Sequence, residues 1–353
     1  MSNARNLANL LESDGDIKVA ALDNAPAPTK STIDALGIAA TSLTGSQATA
    51  ITNNATAAAA ARAGRKNILI NGGFDVWQRG AYTSATGVAN DAYYVDRFFT
   101  LVSLVTATLQ NTANSAKVAA TSSATGYIGL SQKVEDKVYN TLKGKTVTLS
   151  AKVTSNKSNA RLRSFNGSAW ADSATSHSGN GTEETLTHTF TVSSSPSNLI
   201  IQLITYDGGS VALASGDYIE VTGVQLEVGS VATDFEHRSY GEELQLCQRF
   251  CQIVGGEANH SLCTFATWAG SDNYGVLNFS TIMRAAPSST FSSQTGYTLL
   301  ARSVTSASTS IVVQTPTTRS CEILIRRSGG YTQGDAGWVR GNINTYITFD
   351  AEL

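Results

Sequence analysis

Four stretches combine an aromatic side chain with amides, carboxylates and a glycine-rich turn. They are Trp268-Ala-Gly-Ser-Asp-Asn-Tyr274, Tyr331-Thr-Gln-Gly-Asp-Ala-Gly-Trp338, Trp170 just after the turn Asn166-Gly167, and Tyr206-Asp-Gly-Gly209. An exposed indole or phenol ring offers a flat apolar face, and neighbouring polar groups bond hydroxyls around it. That pairing suits non-covalent contact with a polyhydroxylated ligand. Loops carry such contacts more often than regular elements do. The candidate contacts are therefore Trp268, Asp272, Asn273, Tyr274, Tyr331, Asp335 and Trp338 near the end of the chain, with Trp170, Tyr206 and Asp207 in the middle. Buried cores and subunit interfaces use the same residue types, and from sequence alone that reading weighs at least as much.

Covalent chemistry finds little to work with. No Gly-x-Ser-x-Gly elbow, P-loop, dinucleotide-binding glycine pattern or His-Glu-x-x-His motif occurs. His177, His188, His237 and His260 are scattered, and His188 falls on the apolar side of a strand pattern, where a hydrogen-bonded core histidine is the simpler reading. Glycoside hydrolysis needs two carboxyls roughly 5–9.5 Å apart. Glu183 and Glu184 are adjacent on a strand and should face opposite ways, and nothing sets Asp234 and Glu236 up as an acid with a nucleophile. We therefore expect no enzyme, with a polysaccharide depolymerase as the remote alternative. Asn71, Asp75 and Asp234 have the hard oxygens that calcium prefers, but capping of turns explains them better, so no cofactor is predicted. Cys247, Cys251, Cys263 and Cys321 do not form paired Cys-x-x-Cys motifs and are expected to be reduced thiols packed as small hydrophobes.

The surface these groups sit on is neutral. Charged residues make up 15% of the 353-residue chain and the net charge is −2, which gives no basic patch for nucleic acid. No apolar run approaches the roughly 18 residues of a membrane helix, and the start Met1-Ser-Asn-Ala-Arg-Asn has no apolar signal core, so neither membrane insertion nor conventional secretion is expected.

Period-2 patterns dominate the elements that would position the candidates. Phe98–Leu109, Tyr127–Val134, Thr146–Val153, Arg161–Trp170, Thr185–Val192, Asn198–Tyr206 and Tyr218–Val228 are predicted strands, and Asn166-Gly167 is a hairpin signal. Such a series over residues 66–236 predicts a β-sandwich. Ser239-Tyr-Gly-Glu242 has capping-box spacing, and apolar steps of three and four predict a linking helix from Tyr240 to Val254 within 237–256. Residues 257–353 return to strands, ending on the alternation Ile347, Phe349, Ala351, Leu353, and predict a second β-sandwich or barrel. Residues 1–65 lack Phe, Trp, Tyr, His and Cys. They cannot build a core alone, so an extended or helical segment ordered by partners is expected. The fold class is mainly β: two sandwich-like domains joined by one amphipathic helix, behind an N-terminal anchor.

The opening Asn67-Ile-Leu-Ile-Asn-Gly-Gly-Phe-Asp-Val-Trp-Gln-Arg-Gly80, followed by Asp91-Ala-Tyr-Tyr-Val-Asp-Arg-Phe98, resembles a module of tailed-bacteriophage tail-fibre and virion proteins. Val224-Gln-Leu-Glu-Val-Gly-Ser-Val-Ala-Thr-Asp-Phe-Glu236, the Arg238–Phe250 stretch and the ending Thr348-Phe-Asp-Ala-Glu-Leu353 extend the match. The resemblance implies jelly rolls similar to carbohydrate-binding modules, in a virion-attached homotrimer. On that basis residues 1–65 would bind other tail or baseplate proteins, and the distal part would contact a host cell-surface glycan. A purely structural neck or baseplate component is the rival within the virion.

Overall fold

A computed structural model describes residues 66–301, 304–328 and 331–353. The expected anchor, residues 1–65, lies outside the described residues. Ala63–Leu353 forms one compact unit.

The alternating apolar patterns of the middle region become thirteen short strands in two sheets. They are Thr86–Val88 (β1), Tyr93–Val95 (β2), Phe98–Ser103 (β3), Ala107–Asn111 (β4), Ala116–Ala120 (β5), Ala124–Val134 (β6) and Thr146–Ser155 (β7). Ala160–Phe165 (β8), Trp170–Asp172 (β9), Glu183–Thr191 (β10), Leu199–Thr205 (β11), Val211–Leu213 (β12) and Tyr218–Val228 (β13) complete the set. One sheet runs β1-β4-β5-β13-β7-β10; the other runs β2-β3-β6-β11-β8-β9, with β12 on β6. Leu149, Val153 and Leu109 from the first meet Phe98, Leu130 and Leu203 from the second in one buried core, as a sandwich requires. β10 shows the predicted alternation, with Leu186, His188 and Phe190 inward and threonines outward. The single strand predicted over Phe98–Leu109 is instead two. Leu104 takes a left-handed backbone (φ 61°) and is exposed, and the chain crosses there from one sheet to the other.

The two quoted ends of this module meet. Ile68 N–H donates to Leu226 O (2.8 Å), the Asn67 amide to Val224 O (3.1 Å), and Asn67 N–H to the Glu236 carboxylate (2.7 Å). Asn71, at φ 62°, holds its turn by donating to Val76 O and Asp96 O while accepting from Val76 N–H. Its side chain is thereby committed to the turn.

After a single-turn helix α1 (Asp136–Tyr139), the second helix α2 spans Tyr240–Gln248, capped by the Ser239 hydroxyl on Glu242 N–H (3.4 Å). It is shorter than predicted: Cys251–Gly255 is a strand, β14. The steps of three and four continued by accident into a segment that alternates. The expected apolar face is buried only in part, and a charged residue is buried with it. Tyr240 is exposed, and Glu243, Cys247 and Phe250 are buried. Glu243 accepts from Asn71 N–H and Arg238, so the helix docks through a carboxylate.

The final region contains Ser261–Ala269 (β15), Asp272–Asn278 (β16), Ser288–Phe291 (β17), Tyr297–Ala301 (β18), Val304–Gln314 (β19), Ser320–Arg327 (β20), Ala336–Gly341 (β21) and Tyr346–Asp350 (β22). Six of them close a barrel in the order β15-β16-β20-β19-β18-β21, and β14-β22-β17 form a small separate sheet. Of the two forms expected here, the structure has the barrel, which corrects the fold class of two sandwiches: closure removes the free sheet edges that a sandwich of this size would leave. All four cysteines are unbridged, and burial pushes the Cys263 thiol up to about 12 and Cys321 up to about 11.

A buried ionic cluster ties β22 to the sandwich. Arg79 binds Asp350 (2.9 Å) and Glu352 (3.3 Å). Arg97 pairs with Glu352, donates to Lys133 O (2.8 Å) and lies over the Phe250 ring (3.6 Å). Beside it, the buried Asp96 accepts from Gln78 N–H (2.7 Å) and from the Gln78 amide (2.6 Å). Burial pushes Asp96 up to about 6 from 3.8, outweighing the Gln78 hydrogen bonds and Arg79. The folded state thus holds this proton more tightly than the unfolded chain does. The resulting stabilisation is full below about pH 4 and is lost as pH rises through about 6. In urea unfolding across that window, we expect wild type to lose stability with rising pH more steeply than Asp96→Asn. Equal slopes would contradict this.

Candidate functional site

The barrel wall places its side chains by strand alternation. On β15, Phe265 and Thr267 point inward, while Ala266 and Trp268 point outward. The antiparallel register sets Ala266 opposite Tyr274 on β16, and a bulge between Thr267 and Ala269 lifts Trp268 at the rim. On the next strand, Val276 pairs with Glu322 and Tyr274 with Leu324. Ala266, Thr267, Trp268, Tyr274 and Glu322 line a groove of about 310 Å³. Trp268 is 68% exposed. Two aromatic groups, a small floor residue and one carboxylate therefore share one outward-facing depression.

The remaining barrel candidates divide. Asp272 sits at the rim and binds Arg326 (3.2 Å). Asn273 is fully buried, donating to Ile325 O (3.0 Å) and accepting from the Thr267 hydroxyl (2.8 Å). Tyr331 is buried beneath the Arg327 guanidinium (3.2 Å), and its hydroxyl donates to Leu299 O (3.1 Å). Asp335 accepts from Thr332 N–H (2.8 Å) and closes its own turn. Burial and these bonds take Asn273, Tyr331 and Asp335 away from the open surface, because two inward positions and a turn needed them. Trp338, on β21 opposite Thr264, is 44% exposed on the outer wall. Glu322 was missed: its only sequence signal is an outward position between the apolar Cys321 and Ile323.

In the sandwich, the predicted hairpin forms at Gly167 (φ 97°), with Phe165 opposite Trp170. Trp170 and Tyr206 come together there, though not around open space. The Arg163 guanidinium lies between them, 4.4 Å from one ring and 4.1 Å from the other, with its Nε 3.1 Å from Asp172. Arg163 was the unrecognised member of this cluster. Asp207 is exposed on the turn that follows. Ring faces already covered by a cation are less available to a ligand than Trp268 is.

A polar cleft of about 290 Å³ opens on the opposite sheet, lined in part by Asn114, Lys152, Thr154, Glu183 and Glu220. Its carboxylates are occupied. Glu183 pairs with Lys152 (3.0 Å), and Glu220 accepts from Thr112 (2.5 Å) and Ser115 (2.6 Å). Glu184 faces the other way, opposite Val153, and its bonds from Ser178 hold its carboxyl below the usual range. His188 is a core residue: Ser164 reaches its Nε2 (3.0 Å), Phe190 stacks on it, and burial lowers its pKa.

No family model matches the chain, and no curated protein matches it. Among solved structures, it is similar to one described as "CBM4 structure and function", at 16% identity and a TM-score of 0.28, over 45% of this chain and 97% of that one. A tandem CBM22-1-CBM22-2 domain from Paenibacillus barcinonensis Xyn10C matches at 8% identity and a TM-score of 0.27, over 72% and 91% respectively. The tripod (BppUct-A-L) from the baseplate of bacteriophage Tuc2009 matches at 12% identity and a TM-score of 0.29, over 61% and 84%.

Proposed function

We propose that this chain is a bacteriophage virion subunit of the tail-fibre or adhesin kind, holding a host-surface glycan non-covalently in the Trp268–Tyr274–Glu322 groove. Residues 1–65 anchor it to other tail or baseplate proteins, and it assembles as a homotrimer. The virion context rests on the sequence resemblance of Asn67–Gly80, Val224–Phe250 and Thr348–Leu353. The binding role rests on one observation: an indole left 68% exposed at the lip of a groove that also holds a tyrosine and a carboxylate. Aromatic faces stack on the apolar side of a sugar ring, and Glu322 accepts from its hydroxyls. The sandwich serves as the rigid body that carries the barrel.

Adhesion of the purified full-length chain to host cells, compared with that of Trp268→Ala, tests this. Removing the ring is expected to cost at least about tenfold in binding, with unfolding unchanged because the side chain is mostly in water. Wild-type adhesion that Trp268→Ala retains would remove the groove from the account. Absence of adhesion by either protein, with virion assembly intact, would favour the purely structural component.

A further inference from the structure

We propose that the groove is one end of a longer track, and that its ligand is a linear saccharide chain lying along β15 from Trp268 to Trp338. This rests on the sugar-binding reading of the groove. Trp338 stands opposite Thr264, and Trp268 lies four residues further along the same strand on the same outer face. At about 3.3 Å per residue the two indoles are offset by roughly 13 Å along the strand. Between them the outward positions are Ala266 and its register partner Ala336, both exposed and both too small to interrupt a ligand. Strand neighbours normally fill such positions with larger, β-branched side chains. The result is a shallow lane with an exposed tryptophan at each end.

Polar groups border the lane: Tyr274 stands opposite Ala266 and shares the groove with Glu322, and the Arg340 guanidinium lies 6.0 Å from the Trp338 ring. Trp338 adds area that a single sugar seated at Trp268 does not reach, so affinity must grow with ligand length.

The test is calorimetric titration of the full chain with graded oligosaccharides. The probes are maltose-, cello- and chito-series sugars, together with oligomers cut from the polysaccharide of cells to which the wild type adheres. For the bound series, the longer oligomers are expected to bind at least about tenfold tighter than the monosaccharide. Trp338→Ala should erase that gain and leave monosaccharide affinity unchanged, while Trp338→Phe keeps most of it. A length gain that survives Trp338→Ala, or an equal loss for short and long sugars, overturns the track and leaves the groove standing. Absence of binding by every probe overturns the groove reading and the track with it. If light scattering instead shows Trp338→Ala dissolving an oligomer with sugar affinity intact, the lane is a contact between copies and the proposal fails.

Discussion

Glu352→Gln should destabilise the protein by about 3–5 kcal/mol, read as a lowered urea midpoint and Tm. The carboxylate is buried between two guanidinium groups, Arg97 and Arg79, with side-chain exposures of 2% and 10%. Glutamine preserves the shape but removes the charge. Arg97 is left with neutral partners, the amide oxygen, the Lys133 carbonyl and the Phe250 ring, and an under-compensated buried cation is the expensive outcome. Because Glu352 lies two residues past the end of β22, the loss should fall on the attachment of the barrel region to the sandwich. Replacing the pair together, as Arg97→Met with Glu352→Leu, should recover most of the loss, since burying neither charge removes the desolvation cost. If Glu352→Gln unfolds like wild type, the cluster does not hold β22.

Gly72→Ala is the second large effect. A Cβ built on Gly72 would stand 2.0 Å from Val224 O, on backbone that cannot rotate away. The same carbonyl accepts from Asn67, and Gly72 O accepts from Val224 N–H (2.8 Å). One methyl group therefore pushes the opening segment off β13 and breaks buried hydrogen bonds on both sides. Overpacking and the lost bonds together should cost about 3 kcal/mol or more. Gly209→Ala is the control, because its added Cβ meets nothing within 4 Å. Equal stability of the two variants would contradict the close approach.

These two sites show what the sequence made legible. The Asn-Gly-Gly stretch was visible as a boundary, and the period-2 strands with their Asn166-Gly167 hairpin gave the sandwich. The choice between sandwich and closed barrel stayed open, because alternation fixes which face a residue takes and leaves open which strands pair. Helix α2 was overextended because Cys251 and Val254 continue its steps of three and four, while Cys251 and Ile253 fit a 2-residue period equally well over so short a run. Trp268 and Tyr274, which line the groove, are the two that loop chemistry singled out. Glu322 and Arg163 were not, since each joins its partners only through register with a distant strand. Asn273, Tyr331 and Asp335 carry a binding residue's chemistry and are buried. Direction comes from the barrel, and composition is silent on it.

The most direct measurement is intrinsic fluorescence of the full chain, which has only four tryptophans, titrated with oligosaccharides from the polysaccharide of cells it adheres to. The groove assignment predicts a saturable change in emission that Trp268→Ala abolishes together with binding. Wild-type affinity retained by Trp268→Ala would contradict it.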